Sequence, residues 1–477
     1  MRLARCRRVV AWGVVCLAMG RAADIRSKSF SAADFFAVTH VWTARFAFTQ
    51  DQWKGLAPVP KQGRGYAAGR PLSRFEAQVG LRNGITGNNG LSLEYVHGDL
   101  TIDGLKFANA GIRYKGNGTL RRGIPLGKVS LKADLNKYVA GQKLGKISKL
   151  NFNNNVSDTT WMHEVLAYRL YRDAGVPASR TSYARVYIDV AGLNQKPYKG
   201  LYSIVEEVDG RFAEDHFGSK DGLLFKPVIP STFTYLGEEW KPYSQVYDPK
   251  REPGEAEKRR VIEFSRIVTR GTDAEFAARA AEFVDLEEFA RYMAVTVWLS
   301  NYDSILDNGQ NYYLYLDSKT KKFSFIPWDL DRAFGQFGVM GGDMQRVDIL
   351  RPWAGRQVFL ERMFRLEAFR KLYLADMAEF SRTIFRPERF GPQVAAIAAA
   401  VRPAIAEESM TLLERFDASV AGRTMPDTLD RNFGLPDVPI TTFVKGRAAS
   451  VEEQLGRIGA GQKAGGSPGK PAEAPPH

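Results

Sequence analysis

The sequence predicts an α+β protein with a β-rich front and a mainly helical back. Residues 38–48 and 100–115 alternate apolar and polar side chains between turn residues, as half-buried strands do. Residues 182–190 and 198–207 read as two more strands. From Glu255 onward helical spacing dominates, as with Leu286, Phe289, Met293 and Val297 in the stretch 285–300. At 477 residues, 44% hydrophobic and 12% aromatic, the chain can bury a large core, and its length predicts two or more lobes.

The elements follow in order. Residues 1–22 read as a secretory signal peptide: Arg2, Arg5, Arg7 and Arg8 charge its start, 9–19 are apolar, and 20–23 are small enough for cleavage. Both cysteines, Cys6 and Cys16, lie in this leader, so a mature chain has no thiol, which excludes disulfides and Cys-metal chemistry. A Gly/Pro/Arg-rich stretch, 58–71, is a predicted loop between strands. The segment "SDTTWMHEVLAYRLYRDAG" predicts a helix capped by Ser157 or Asp158, with Met162, Leu166 and Leu170 on one face and Gly175 closing it. The N-terminal lobe is expected over 35–209 and the C-terminal lobe over 210–455. A disordered tail is expected over 456–477, which has no large apolar residue after Ile458. No transmembrane segment is expected after signal removal.

Composition and motifs remove several function classes. The net charge of +14 falls to about +9 once the five arginines of residues 1–22 are gone, and no dense Lys/Arg run marks a nucleic-acid groove. His163-Glu164 begins like a zinc-protease helix, but Ala167 stands where the second histidine belongs. The glycines within 141–146 are too close for a phosphate-binding Walker loop, and Ile147 replaces its Ser/Thr. With His40, His97, His163, His216 and His477 as the only histidines, a serine triad has few candidate bases.

What remains is a constellation suited to phosphates and hard cations. In "IRYKGNGTLRRG", Gly116-Asn117-Gly118 sits between strand patterns, where a hairpin presents backbone N–H groups to phosphate oxygens. Lys132 in "KVSLKADLNKY" projects one ammonium from a strand, with Glu164 on the next helix as its natural partner. "LSNYDSILDNGQNYYLY" places Asp303 and Asp307 in a loop with Asn311 before a strand. "FIPWDLDRAFG" ends a second strand at Asp329 and Asp331. Two strands joined by a turn bring their ends together, so these oxygens can converge on one divalent cation. The order of glycine turn, Lys, helical Glu, loop Asp with Asn, strand pair, Asp and Phe-Gly is that of protein kinases, although their His-Arg-Asp signature is absent.

These segments, with "KLNFNNNVSD", "MHEVLAYRLYRDAGVPASRTSYARVYI" and "KGLYSIVEEVD", strongly resemble the CotH kinase family, named for spore coat protein H, over residues 38–444. The resemblance implies an atypical protein-kinase-like two-lobed fold that transfers the γ-phosphate of ATP to Ser or Thr of secreted or coat proteins, with Mg2+ or Mn2+. It implies Asp303 as catalytic-loop aspartate, Lys132 as phosphate-binding lysine, Asn311, Asp329 and Asp331 as metal ligands, and Gly116, Asn117, Gly118, Glu164 and Glu206 as nucleotide-site residues. Gly118 stands where relatives usually have Ser, and His163 where they have Arg. Two other readings use the same residues: a non-catalytic surface or coat binding protein, and a metal-dependent phosphohydrolase.

Overall fold

The computed structural model describes residues 30–60, 91–116, 118–158, 160–193, 196–229, 231–307, 309–337, 342–426 and 438–460. The signal-peptide reading of 1–22 and Asn117 lie outside the described residues, as do nearly all of the predicted loop 58–71 and the end of the predicted tail.

Seven strands close into a barrel: β1 (Val41–Phe48), β2 (Val96–Ile102), β3 (Leu105–Tyr114), β4 (Leu131–Asp134), β5 (Lys149–Asn153), β6 (Thr181–Val190) and β7 (Tyr198–Glu206). Neighbours are antiparallel except at the seam, where β1 lies parallel to β6. Period-two alternation turns Trp42, Ala44, Phe46 and Phe48 of β1 inward, onto a core with Ile112, Leu131, Phe152 and Ile204. The stretch expected as one strand over 100–115 is split. Asp103 and Gly104, both at positive φ (43° and 81°), make a two-residue turn that pairs Ile102 with Leu105. Between β3 and β4 the chain makes a short helix, α1 (Gly118–Gly123), in place of the expected simple hairpin.

The helix α2 (His163–Asp173) follows β5 in sequence yet packs away from the barrel core. Met162, Val165, Leu166 and Leu170 join the core of the helical body, and the hydroxyls of Tyr171 and Thr296 bond at 2.8 Å. It begins later than the sequence suggests, because Asp158 closes a turn of its own. The Asp158 carboxylate accepts the Thr160 N–H and, through Oδ2, the His163 N–H at 2.9 Å, so it caps the helix from five residues away.

The body contains a three-stranded antiparallel sheet, β8 (Leu223–Phe225), β9 (Tyr312–Leu316) and β10 (Phe323–Pro327). Around it lie α3 (Gly210–Phe217), α4 (Trp240–Tyr247), α5 (Glu255–Arg270), α6 (Asp273–Phe283), α7 (Leu286–Trp298), α8 (Val358–Arg365), α9 (Glu367–Arg382), α10 (Pro387–Glu408), α11 (Met410–Val420) and α12 (Ile440–Gly459). Asp285 caps α7 by accepting the N–H groups of Glu287 and Glu288 at 3.1 Å. Residues 456–459, expected to belong to the tail, are helical instead: α12 continues to Gly459, with Leu455 and Ile458 packed on the core. Among the described residues no helix is long and apolar enough to cross a membrane.

Two buried charges tie the parts together. Arg447 of α12, with no exposed surface, donates to the carbonyls of Val297 (3.0 Å) and Trp298 (3.2 Å) at the end of α7, and to those of Gln345 (3.1 Å) and Val347 (2.6 Å). Glu408, the last residue of α10, reaches the barrel. Its carboxylate accepts Lys128 Nζ at 2.6 and 2.8 Å and the Leu201 N–H at 3.0 Å. Gly200, at φ 108°, leaves room for that carboxylate, and a Cβ there would collide with it.

Candidate functional site

A cavity of about 270 Å3 separates the barrel from the body, and its lining includes Lys115, Gly116, Lys132, Glu164, Asp329 and Asp331. From the barrel, β3 ends at Tyr114 and the chain turns through Gly116 at φ 107°, where a Cβ would lie 2.6 Å from Thr119 Oγ1. Gly118 opens α1 and does not line the cavity.

Lys132 and Asn151 are cross-strand neighbours on β4 and β5, and both reach Glu207, just beyond β7. Lys132 Nζ donates to Glu207 Oε1, and Asn151 Nδ2 to Oε2 at 2.7 Å. Burial alone would raise the Glu207 carboxyl; the Lys132 ammonium and these hydrogen bonds hold it down at about 2. The expected Lys132–Glu164 pair is therefore replaced by Lys132–Glu207. Glu164 instead receives the Asn153 amide on both carboxylate oxygens at 2.9 Å, and Asn153 Oδ1 accepts Lys115 Nζ at 2.6 Å. Asn153 thus bridges Lys115 to Glu164. Burial and the Asp329 charge push Glu164 up to about 8, against the Asn153 bond and Lys115.

Glu206 points elsewhere. Glu206 lines a second cavity of about 320 Å3, which Glu207 also borders, and there it accepts the Arg180 backbone N–H and Nε, each at 3.0 Å. Glu206, expected at the same site as Lys132 and Glu164, does not line the cavity that holds them; its neighbour Glu207 does.

From the body, the ladder of β9 and β10 ends with Tyr312 opposite Pro327, and the Trp328 N–H then donates to the Asn311 carbonyl at 3.1 Å. Asn311 and Asp329 are both left-handed (φ 60° and 56°), so both strands break there, and Asp329 lines the cleft. The Asp329 N–H donates to the Tyr168 hydroxyl of α2 at 3.1 Å, fixing that carboxylate beside Glu164. Asn311 Nδ2 donates to the Asp303 carbonyl at 3.0 Å, and Gln310 Nε2 to Asp303 Oδ1 at 3.2 Å, so the loop before β9 is held to the strand it feeds. Burial, then the Asp329 charge, push Asp331 far above the usual carboxylate range; Arg332 opposes this, while Glu164 and Asp303 add to it. Asp303 thus acts electrostatically on the cluster without lining the cavity. Asp307, the other loop aspartate, is buried. His163 is held by Asp158, Nδ1 to Oδ1 at 2.7 Å, with its ring 5.7 Å from that of Phe334.

Among the described residues no three His, Cys, Asp or Glu side chains are arranged to chelate an ion by themselves. Mg2+ in phosphoryl-transfer sites is held by one or two carboxylates together with substrate phosphates, so the fit is judged by the donor set. Hard oxygen donors whose negative charges raise one another's proton affinity suit a divalent cation.

Sequence reasoning missed Lys115, Asn153, Glu207 and Lys226. Lys115 stood inside the quoted glycine-turn segment, and its place at the strand end directly before the turn was the available signal.

Fold and site define an α+β protein in which a β-barrel and a helical body enclose a cleft of opposed lysines and carboxylates. A family model described as CotH kinase protein matches residues 112–420, and the chain belongs to this family. It is 23% identical over 313 residues to the inner spore coat protein H of Bacillus subtilis (strain 168), covering 64% of this chain and 78% of that protein. A solved complex of Shewanella oneidensis MR-1 HipA with HipB and operator DNA aligns at 9% identity and a TM-score of 0.31, over 65% of this chain and 60% of that one. That likeness is too slight to carry an argument.

Proposed function

We propose that the protein is an exported, ATP-dependent protein kinase acting on Ser or Thr of coat or other extracytoplasmic proteins. In this reading the barrel part (35–209) and the helical body (210–455) act as the two lobes of an atypical kinase-like fold. The coat context comes from the relative named above. The observation that carries the chemistry is one cleft in which Asp329 and Asp331, with Asp303 behind them, face Lys115 and Lys132.

Phosphoryl transfer needs positioning and charge stabilisation more than covalent chemistry. Asp329 and Asp331, with the Asn311 carbonyl-type oxygen, are the residues that would hold Mg2+ or Mn2+, which supplies charge neutralisation at phosphate oxygens. Asp303 orients the acceptor hydroxyl and takes its proton as the hydroxyl oxygen bonds to the γ-phosphorus and the bond to the ADP oxygen breaks. Gly116, where a Cβ would collide with Thr119, keeps the turn beside the cleft open to close approach by phosphate.

The test is incubation of purified protein with γ-labelled ATP, Mg2+ or Mn2+, and coat-protein fractions. Label on protein Ser or Thr is expected. Label released only as free phosphate would make the protein a phosphohydrolase, and ATP binding or inertness without turnover would make it a binding protein.

A further inference from the structure

Lys226, directly after β8, has an ammonium held in place but, among the described residues, no ion-pair partner. Its backbone N–H is fixed to the Tyr247 carbonyl at 2.9 Å, and its side chain lines the cleft. Nζ lies 5.1 Å from the Trp328 ring centre and 5.3 Å from that of Tyr313, within cation–π range. Among the described residues it makes no side-chain hydrogen bond or ion pair. Two of the nearby carboxylates are engaged, Asp248 with Lys250 at 2.6 Å and Glu207 with Lys132, while Asp329 attracts the ammonium without forming an ion pair with it. Lys115 approaches the same Trp328 ring, at 5.3 Å, so two ammoniums from opposite walls converge on one indole. Burial first, then the Lys250 and Lys115 charges, depress Lys226 to about 7, against the pull of Asp329 and Glu207.

Two like charges drawn into a cleft, one of them without an ion-pair partner, are stabilised by an anion that reaches both. We propose that Lys226, with Lys115, forms the phosphate seat of the cleft and binds the oxygens of a polyphosphate chain. This rests on the reading of the cleft as a nucleotide site, and it moves the main phosphate contact away from Lys132, whose charge Glu207 already meets. A lysine kept for packing would instead have been paired with Asp248 or replaced by an apolar side chain against Trp328 and Tyr313.

The experiment measures binding of inorganic tripolyphosphate, ATP and adenosine, each with Mg2+, to the full chain and to Lys226→Met and Lys226→Arg, with thermal melts to verify folding. Lys226→Met is expected to weaken tripolyphosphate and ATP about tenfold or more, as loss of a charge-assisted contact does, and to leave adenosine unchanged; Lys226→Arg keeps most of the affinity. Unchanged tripolyphosphate and ATP binding by folded Lys226→Met overturns the proposal. So does an equal loss for adenosine, which would place the effect in the shape of the cleft, and so does wild-type protein that binds neither polyphosphate. Lys226-dependent tripolyphosphate binding by a protein that transfers no phosphate would retain this inference and remove the kinase reading.

Discussion

At the scale of single residues, the carboxylates of the cleft are expected to separate by role. Asp329→Ala should lower phosphoryl transfer by roughly two orders of magnitude or more and weaken metal-dependent nucleotide binding. Asp303→Ala should lose transfer to a similar degree while still binding Mg-ATP. Parallel titration and single-turnover assays check this, and wild-type transfer by folded Asp329→Ala would remove the catalytic account of this strand end. Away from the cleft, Asp376 on α9 offers a pH test. Burial raises its carboxyl to about 6, with Glu379 and Glu287 adding to the rise and Arg291 opposing it. Its folded pKa exceeds the unfolded value of 3.8, so it favours folding most below about 4, and that contribution is lost as pH rises through 6. Asp376→Asn should therefore raise Tm at pH 7 and above, with the gain vanishing near pH 4; a gain independent of pH would show that the charge is not its cause.

At the scale of elements, α7 and α12 depend on one another through Arg447. Arg447→Ala takes a buried donor from four carbonyls, of which Val297 and Val347 keep the Ser300 N–H and Gln454 Nε2, and leaves a void in their midst; it should cost about 3 kcal/mol in denaturant unfolding. Ending the chain before Ile440 removes the same support and should abolish folding, whereas ending it at Ala460 should leave Tm unchanged. Most element types were legible because their periodicity is strong: β6, β7, α7, β9 and β10 lie within a residue or two of expectation. The Asp103-Gly104 turn was legible in principle but was hidden by apolar alternation that continues across it. The site was legible as a set of residue types and illegible as a set of pairs. Lys132 meets Glu207 because of cross-strand register, Glu207 faces the cleft and Glu206 does not because of strand parity, and α2 brings Glu164 to Asp329 by packing on the body. The first and last of these facts join residues far apart in sequence, and the second turns on the phase of one strand end.

At the scale of the whole molecule, the barrel and the body are coupled by Lys128 and Glu408, whose side chains are only 6% and 12% exposed. A double-mutant cycle with Lys128→Met and Glu408→Gln should show each single change strongly destabilising and the double change less so than their sum, because each single change strands a buried charge. Additive losses would show the pair to be incidental. The clasp spans 280 residues of sequence, joining the segment between α1 and β4 to the last residue of α10. A chain still being synthesised has made the whole barrel long before Glu408 exists, so the barrel's final seating waits for the end of α10. Contacts of such long range form late and slowly. The cleft that lies between barrel and body is thus completed only once nearly the whole chain has been made, and an emerging chain has no finished cleft in which to hold a ligand.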